Sequence, residues 1–168
     1  MKSKLATYST FLLALFFAIP VFAGQEKKIS LDEVPAALME KAKEIVAQEQ
    51  KFKQEEIQIT NAQIETEDDG KKTYEIQGSF ASGRKIEVDL FENGEVEEYE
   101  IEFNKQDVPM AVLKGIERKI PGFEPTFIEA SHSPSGKVLK YEFEGTVNGN
   151  HMDIEVSADG RRIEVADN

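Results

Sequence analysis

The chain has 168 residues, 40% of them hydrophobic and 31% charged, with a net charge of −12 and no cysteine. That length holds one ordinary domain or two small ones and excludes a large multidomain enzyme. The lack of cysteine excludes disulfides, thiolate metal sites, a cysteine nucleophile and lipid attachment through cysteine, while the acidic balance argues against nucleic acid as a partner.

Residues 1–23 begin with Lys2 and Lys4, continue through the apolar run Phe11–Ile19 and reach Val21-Phe22-Ala23 ahead of Gly24. A basic start, a short apolar stretch and a small residue at its end form the pattern of a cleavable secretory signal peptide. The run is well short of the roughly 20 apolar residues that a helix needs to span a bilayer, and Pro20 ends it. Cleavage near Ala23 removes two lysines and no carboxylate, leaving 145 residues at a net charge of −14. The expected product is periplasmic or secreted and does not insert into a membrane.

The remaining chain repeats itself. Glu33-Val34-Pro35-Ala36-Ala37-Leu38 returns as Asp107-Val108-Pro109-Met110-Ala111-Val112. Tyr74-Glu75-Ile76-Gln77-Gly78 returns as Tyr141-Glu142-Phe143-Glu144-Gly145, and Ile86-Glu87-Val88-Asp89-Leu90 as Met152-Asp153-Ile154-Glu155-Val156, in the same order. Two copies are expected, over 24–103 and 104–168. Each opens with an amphipathic helix: Val34, Leu38, Ala42, Ile45 and Val46 fall on one stripe, and Val108, Val112, Gly115 and Ile116 on another. Proline is harmless only in the first turn of a helix, so Pro35 and Pro109 favour Asp32 and Asp107 as the helix caps.

Strands follow. Tyr74, Ile76, Gly78 and Phe80 alternate with Glu75, Gln77 and Ser79, and Ile86, Val88 and Leu90 with Glu87 and Asp89, the period of a sheet with one buried face. In the second copy Leu139, Tyr141 and Phe143 alternate with Lys140, Glu142 and Glu144. Asp69-Gly70, Asn93-Gly94, Asn148-Gly149 and Asp159-Gly160 are pairs suited to tight hairpin turns. The fold class is α+β: two tandem repeats, each a helix packed on one face of an approximately four-stranded antiparallel sheet, with the other face carrying charge into solvent.

A helix opening with Val-Pro, the Pro-Gly-Phe bend at 121–123, a tyrosine strand ending in glycine and a hairpin closed by Asn-Gly or Asp-Gly together resemble the PepSY and PepSY-like domains. The resemblance covers both copies, although the first has Gln48-Glu-Gln-Lys-Phe52 where the second bends. It implies a secreted or periplasmic bacterial module related in architecture to proteinaceous β-lactamase inhibitors, proposed to bind or restrain peptidases, with no catalytic residues.

Catalytic constellations are thin. His132 and His151 are the only histidines, and His151 with Asp153 supplies two ligands on one strand face where a metal needs three or four. Ser131-His132-Ser133 places adjacent side chains on opposite strand faces, and no nucleophile-elbow glycine pattern surrounds them. No metal site, cofactor or enzymatic activity is expected. The acidic strand with Glu98, Glu100 and Glu102 outward and Tyr99, Ile101 and Phe103 inward protects an exposed sheet edge on one reading and recruits a basic partner on another. Neither Glu65–Gly70 nor Ser157–Gly160 has the spaced oxygens and closing Glu of a calcium loop, so an acidic calcium-binding or cation-binding envelope protein is the alternative function. The first reading is a protein-binding module, inhibiting or regulating a peptidase or other envelope enzyme. Its outward residues are Glu75, Gln77, Lys85, Glu87 and Asp89 in copy one and Lys140, Glu142, Glu144, Asp153 and Glu155 in copy two.

Overall fold

The computed structural model describes residues 25–66 and 69–165; the expected signal peptide at 1–23 lies outside them, as does part of the acidic stretch before Gly70. The chain runs β1 (Gln25–Ile29), α1 (Ala36–Lys53), β2 (Ile57–Thr66), β3 (Lys72–Phe80), β4 (Lys85–Phe91) and β5 (Val96–Glu102). A short 3-10 turn leads into α2 (Met110–Lys119), β6 (Glu124–His132), β7 (Val138–Val147), β8 (Asn150–Ser157) and β9 (Ile163–Val165). The architecture is α+β, with all nine strands in one antiparallel sheet whose spatial order follows the chain order.

The helices start later than the proline argument places them. Pro35 and Pro109 are themselves the caps, in extended conformation, and Asp32 and Asp107 are not. Proline restricts the residue before it to extended backbone, so the helix cannot begin earlier, and the proline carbonyl accepts the first helical bonds instead, from Leu38 and Met39 in α1 and from Val112 and Leu113 in α2. Ser30 and Glu33 do interact, but in the turn ahead of the helix, where Ser30 N–H and Oγ both donate to Glu33 Oε2. The chain also places β1 ahead of α1, hydrogen-bonded along β2, so the first half does not open with its helix. Where α2 ends after 10 residues near Pro121-Gly122, α1 runs 18 residues and stops at Gln54 in left-handed conformation.

Both helices cover the same sheet face, α1 over β3 and β4 and α2 over β8 and β9. Leu38, Ala42 and Ile45 meet Ile76, Val88, Leu90 and Ile101, while Val112 and Ile116 meet Ile128, Phe143, Ile154 and Val156. The two apolar clusters touch at Phe103, which packs against both. The halves are joined by β5 and β6, paired as Tyr99 with His132, Glu100 with Ser131, Ile101 with Ala130 and Glu102 with Glu129. The acidic strand β5 is therefore central, hydrogen-bonded on both sides, and the edge-protection reading of its glutamates is wrong. Among the described residues no helix is long and apolar enough to cross a membrane.

Tight turns fix the meander. Asn148 and Gly149 both take positive φ, 51° and 80°, as the two-residue turn between β7 and β8 demands. The turn before β9 carries a second constraint, because it lies against α2. A Cβ at Gly115 would fall 2.3 Å from the Gly160 carbonyl oxygen, and one at Gly160 would fall 2.6 Å from that of Ala111. Backbone sits on backbone there, with no flexible side chain to yield. Gly115→Ala is expected to destabilise the protein by about 2 kcal/mol or more despite alanine's better helix propensity, measured by urea denaturation; an unchanged or raised midpoint would contradict the close approach.

Candidate functional site: the open face of the sheet

Among the described residues the face opposite the helices has no covering layer, and the alternation along most of the strands loads it with polar groups. Because each strand is hydrogen-bonded to the next, these groups line up in rows across the sheet. One row runs Asn61, Gln77, Glu87, Glu100, Ser131, Lys140 and Ser157 across seven strands. A second runs Glu102, Glu129, Glu142, Glu155 and Glu164. A third, at the β1 side, runs Lys28, Gln63, Glu75 and Asp89.

This face is not simply a solvated surface, as the sequence reading had it. Glu75 is 6% exposed and Gln77 9%, while Glu87, Asp89, Glu100 and Glu129 are only half-buried yet closely surrounded. Amide side chains accompany the carboxylates: Gln63 Nε2 donates to Glu75, Gln77 Nε2 to Glu87 and Asn61 Nδ2 to Gln77 Oε1. Ser131 Oγ donates to Glu98. Burial followed by neighbouring carboxylates raises the acids. Glu75 is pushed up to about 7, Glu87 and Glu129 to about 8, and Asp89 and Glu100 well above the carboxylate range. Glu144 moves up for the same reasons, with Asp153 as its neighbour.

All ten residues singled out from the alternation share this face, but they do not behave alike. Glu75, Gln77, Glu87 and Asp89 form a compact group around β3 and β4. Lys85 lies at its margin, exposed, with Nζ 3.2 Å from Ser79 Oγ. In the second half Lys140 Nζ lies 2.8 Å from Glu142 Oε1 and 3.4 Å from Glu155 Oε1. Glu144 stands opposite Asp153, which lies 3.4 Å from His151 Nε2. The sequence reading missed Gln63 and Glu129. Glu129 was available from the strand Ile128-Glu129-Ala130-Ser131, whose apolar members face the helices.

The other chemistry considered does not assemble. His132 points to the helix side, stacked on Tyr99 at 4.9 Å, while Ser131 points to the open face, so the two cannot act together. Burial lowers the His132 pKa. Among the described residues no group of three or more His, Asp or Glu side chains is arranged to hold a metal ion.

A raised carboxyl pKa has a definite consequence for stability. The fold favours the neutral acid, so its contribution is fully present below the unfolded value near 4.5 and is lost as pH rises through the folded values near 7 and 8. His132 has the opposite sense, but its folded value lies below 6.5 and its effect is confined below that pH. Between pH 6.5 and 8.5 the melting temperature is expected to fall. Glu87→Gln at pH 8.5 is expected to raise it, by about 1–2 kcal/mol or roughly 3–8 °C, and to flatten the fall. Calorimetric melts showing flat or rising stability over that window would refute the crowding of acids.

No family model and no curated protein matches the chain. Among solved structures, a BLIP-like protein from Bacteroides fragilis is similar at 16% identity and a TM-score of 0.55, over 80% of this chain and 87% of that one. A Bacteroides vulgatus protein of unknown function, described as periplasmic, aligns over 85% of this chain and all of its own at 17% identity, but its TM-score of 0.37 is too low to bear on the fold. The first likeness establishes a BLIP-like fold.

Proposed function

We propose that this chain is a periplasmic or secreted, non-enzymatic module that binds a protein through the open face of its sheet, and that the partner is an envelope or secreted enzyme, a peptidase among the candidates, which it inhibits or regulates. The observation that carries the reading is the uncovered face itself, nine strands wide among the described residues, with rows of carboxylates and amides held in fixed register. Side chains fixed by a sheet lose little freedom on docking, which favours recognition over chemistry. The signal pattern in residues 1–23 supports export, and the BLIP-like fold suits a module of this kind. The same reading takes 24–103 and 104–168 as two PepSY-like repeats fused edge to edge.

Photo-reactive side chains incorporated at Glu102 and Glu144 on the open face, and at Glu44 on the outer side of α1, test it in envelope extracts. Cross-links from the two open-face positions to one common protein are expected, with none from position 44, and purified chain should then reduce that protein's activity in titration. Cross-links from the helix side alone, or none from the open face, would sink the proposal.

A further inference from the structure

The second half holds a cavity on its helix side, away from the open face. β5 and β6 run together for only four residue pairs, from Tyr99 with His132 to Glu102 with Glu129, and part after the Phe103 N–H donates to the Ile128 carbonyl at 2.8 Å. Beyond that point β6 extends back to Glu124, paired among the described strands with β7 alone, while the chain leaving β5 turns through Lys105 into α2. The wedge between them is a cavity of about 260 Å³. Met110, Leu113 and Ile116 of α2 line it together with Phe123 and Pro125 at the start of β6.

Its walls are held in place. The Phe123 ring meets Phe143 edge-on at 6.4 Å and lies so close over Gly145 that a Cβ there would fall 2.5 Å from Phe123 Cζ. α2 is pinned from behind by the backbone contact of Gly115 with Gly160. The mouth, in turn, is basic in an acidic chain: Lys105 and Lys114 border it with a single carboxylate, Glu117. Among the described residues neither lysine side chain makes a hydrogen bond or an ion pair. The matching positions in α1, Glu40 and Lys43, are joined at 2.8 Å, whereas Lys114 and Glu117 stand in the reverse order, the weaker arrangement on a helix, and are not joined. Met110, where the first copy has Ala36, keeps 63% of its surface exposed at the same mouth. Apolar surface and positive charge therefore lie side by side, each without a partner.

We propose that this cavity binds a medium-chain fatty carboxylate, its tail against Met110, Leu113, Ile116 and Phe123 and its carboxylate answering Lys105 and Lys114. An apolar concavity with a few charged groups at its rim is the usual form of a small-molecule site, the lining supplying affinity and the charges orientation. A methylene takes up roughly the volume of a liquid water, ~30 Å³, so the cavity suits a tail of about eight carbons. A neutral or cationic amphiphile would fill the same space and leave the two ammonium groups unanswered. A peptide end would bring the carboxylate, but the apolar side chains of the lining offer its amides no partner, and an unpartnered amide is costly to bury.

The test is NMR of methyl-labelled methionines in the purified protein as octanoate is added below its micellar range, with calorimetry for affinity. The Met110 signal is expected to shift saturably while that of Met39, in α1, stays in place. Affinity is expected to rise about fourfold per methylene from pentanoate to octanoate and to level off for longer chains. Lys105→Gln with Lys114→Gln is expected to weaken octanoate about threefold to tenfold, and Lys41→Gln with Lys43→Gln, which removes the same charge from α1, by less than about twofold. All four lysines are exposed, so folding is not at risk, and melting curves verify it. Octanol binding as tightly as octanoate, equal weakening by the two variants, Met39 shifting together with Met110, or no shift at millimolar octanoate would each overturn the proposal. A blocked tripeptide ending in a free leucine carboxylate that binds more tightly than octanoate would assign the cavity to a peptide end and overturn it as well. None of these results bears on the open-face reading, which concerns the opposite side of the sheet.

Discussion

The pairing of β5 with β6 is the interaction on which the rest of the molecule depends. It joins only four residue pairs, yet it turns two sets of strands into one sheet. On the helix side it brings Ile101 against Ala130, both fully buried, and lets Phe103 close the gap between the apolar clusters, edge-on to Tyr141 at 5.9 Å. On the open side it sets Glu100 against Ser131 and Glu102 against Glu129. Were the pairing absent, the rows of carboxylates would stop at β5 and resume at β6 as two unrelated surfaces.

The same pairing carries a cost. Carboxylates that would be far apart on two separate sheets are lined up at strand spacing, where directly opposed like charges are unfavourable by a few tenths of a kcal/mol to about 1 kcal/mol per pair. The sheet holds because its other face buries isoleucine, valine, leucine and phenylalanine under two helices, each such side chain worth about 1.5–3 kcal/mol. Raised carboxyl pKa values, amide donors from Gln63 and Gln77, and the inward ammonium of Lys140 are the ways the open face reduces its own repulsion. A surface that carries such repulsion on the side away from the core is the observation behind the proposed protein-binding role.

Much of the fold was legible because alternation is a one-dimensional signal. Tyr74-Glu75-Ile76-Gln77 and Tyr141-Glu142-Phe143-Glu144 announce which side chains share a face, and the paired Asn-Gly and Asp-Gly turns place the hairpins between them. Where the alternation breaks, so did the reading. β2 carries a register shift between Ile59 and Asn61, and β6 carries one at Pro125 and Phe127, so neither shows a clean period of two. β1, with Glu26, Lys27 and Lys28 in its five residues, gains its strand character from pairing with β2 and not from its own composition. The helix starts were misplaced by three residues in α1 and two in α2 because the restriction that proline imposes on the residue before it outweighed the capping preference of aspartate.

By itself the sequence determined the acidic surplus, the exclusion of cysteine chemistry, the two amphipathic helices and the face assignment of the strands with unbroken alternation, because each follows from composition or from contacts local in the chain. Only the tertiary structure decided that one sheet exists and not two, since the partners Glu102 and Glu129 are brought together by a pairing that leaves no periodic mark in either strand. It also decided the character of the acids. Whether Glu87 or Asp89 is a solvated charge or a crowded, half-neutral one depends on how many carboxylates and how little water surround it, a property of neighbours from other strands that no single segment of the chain records.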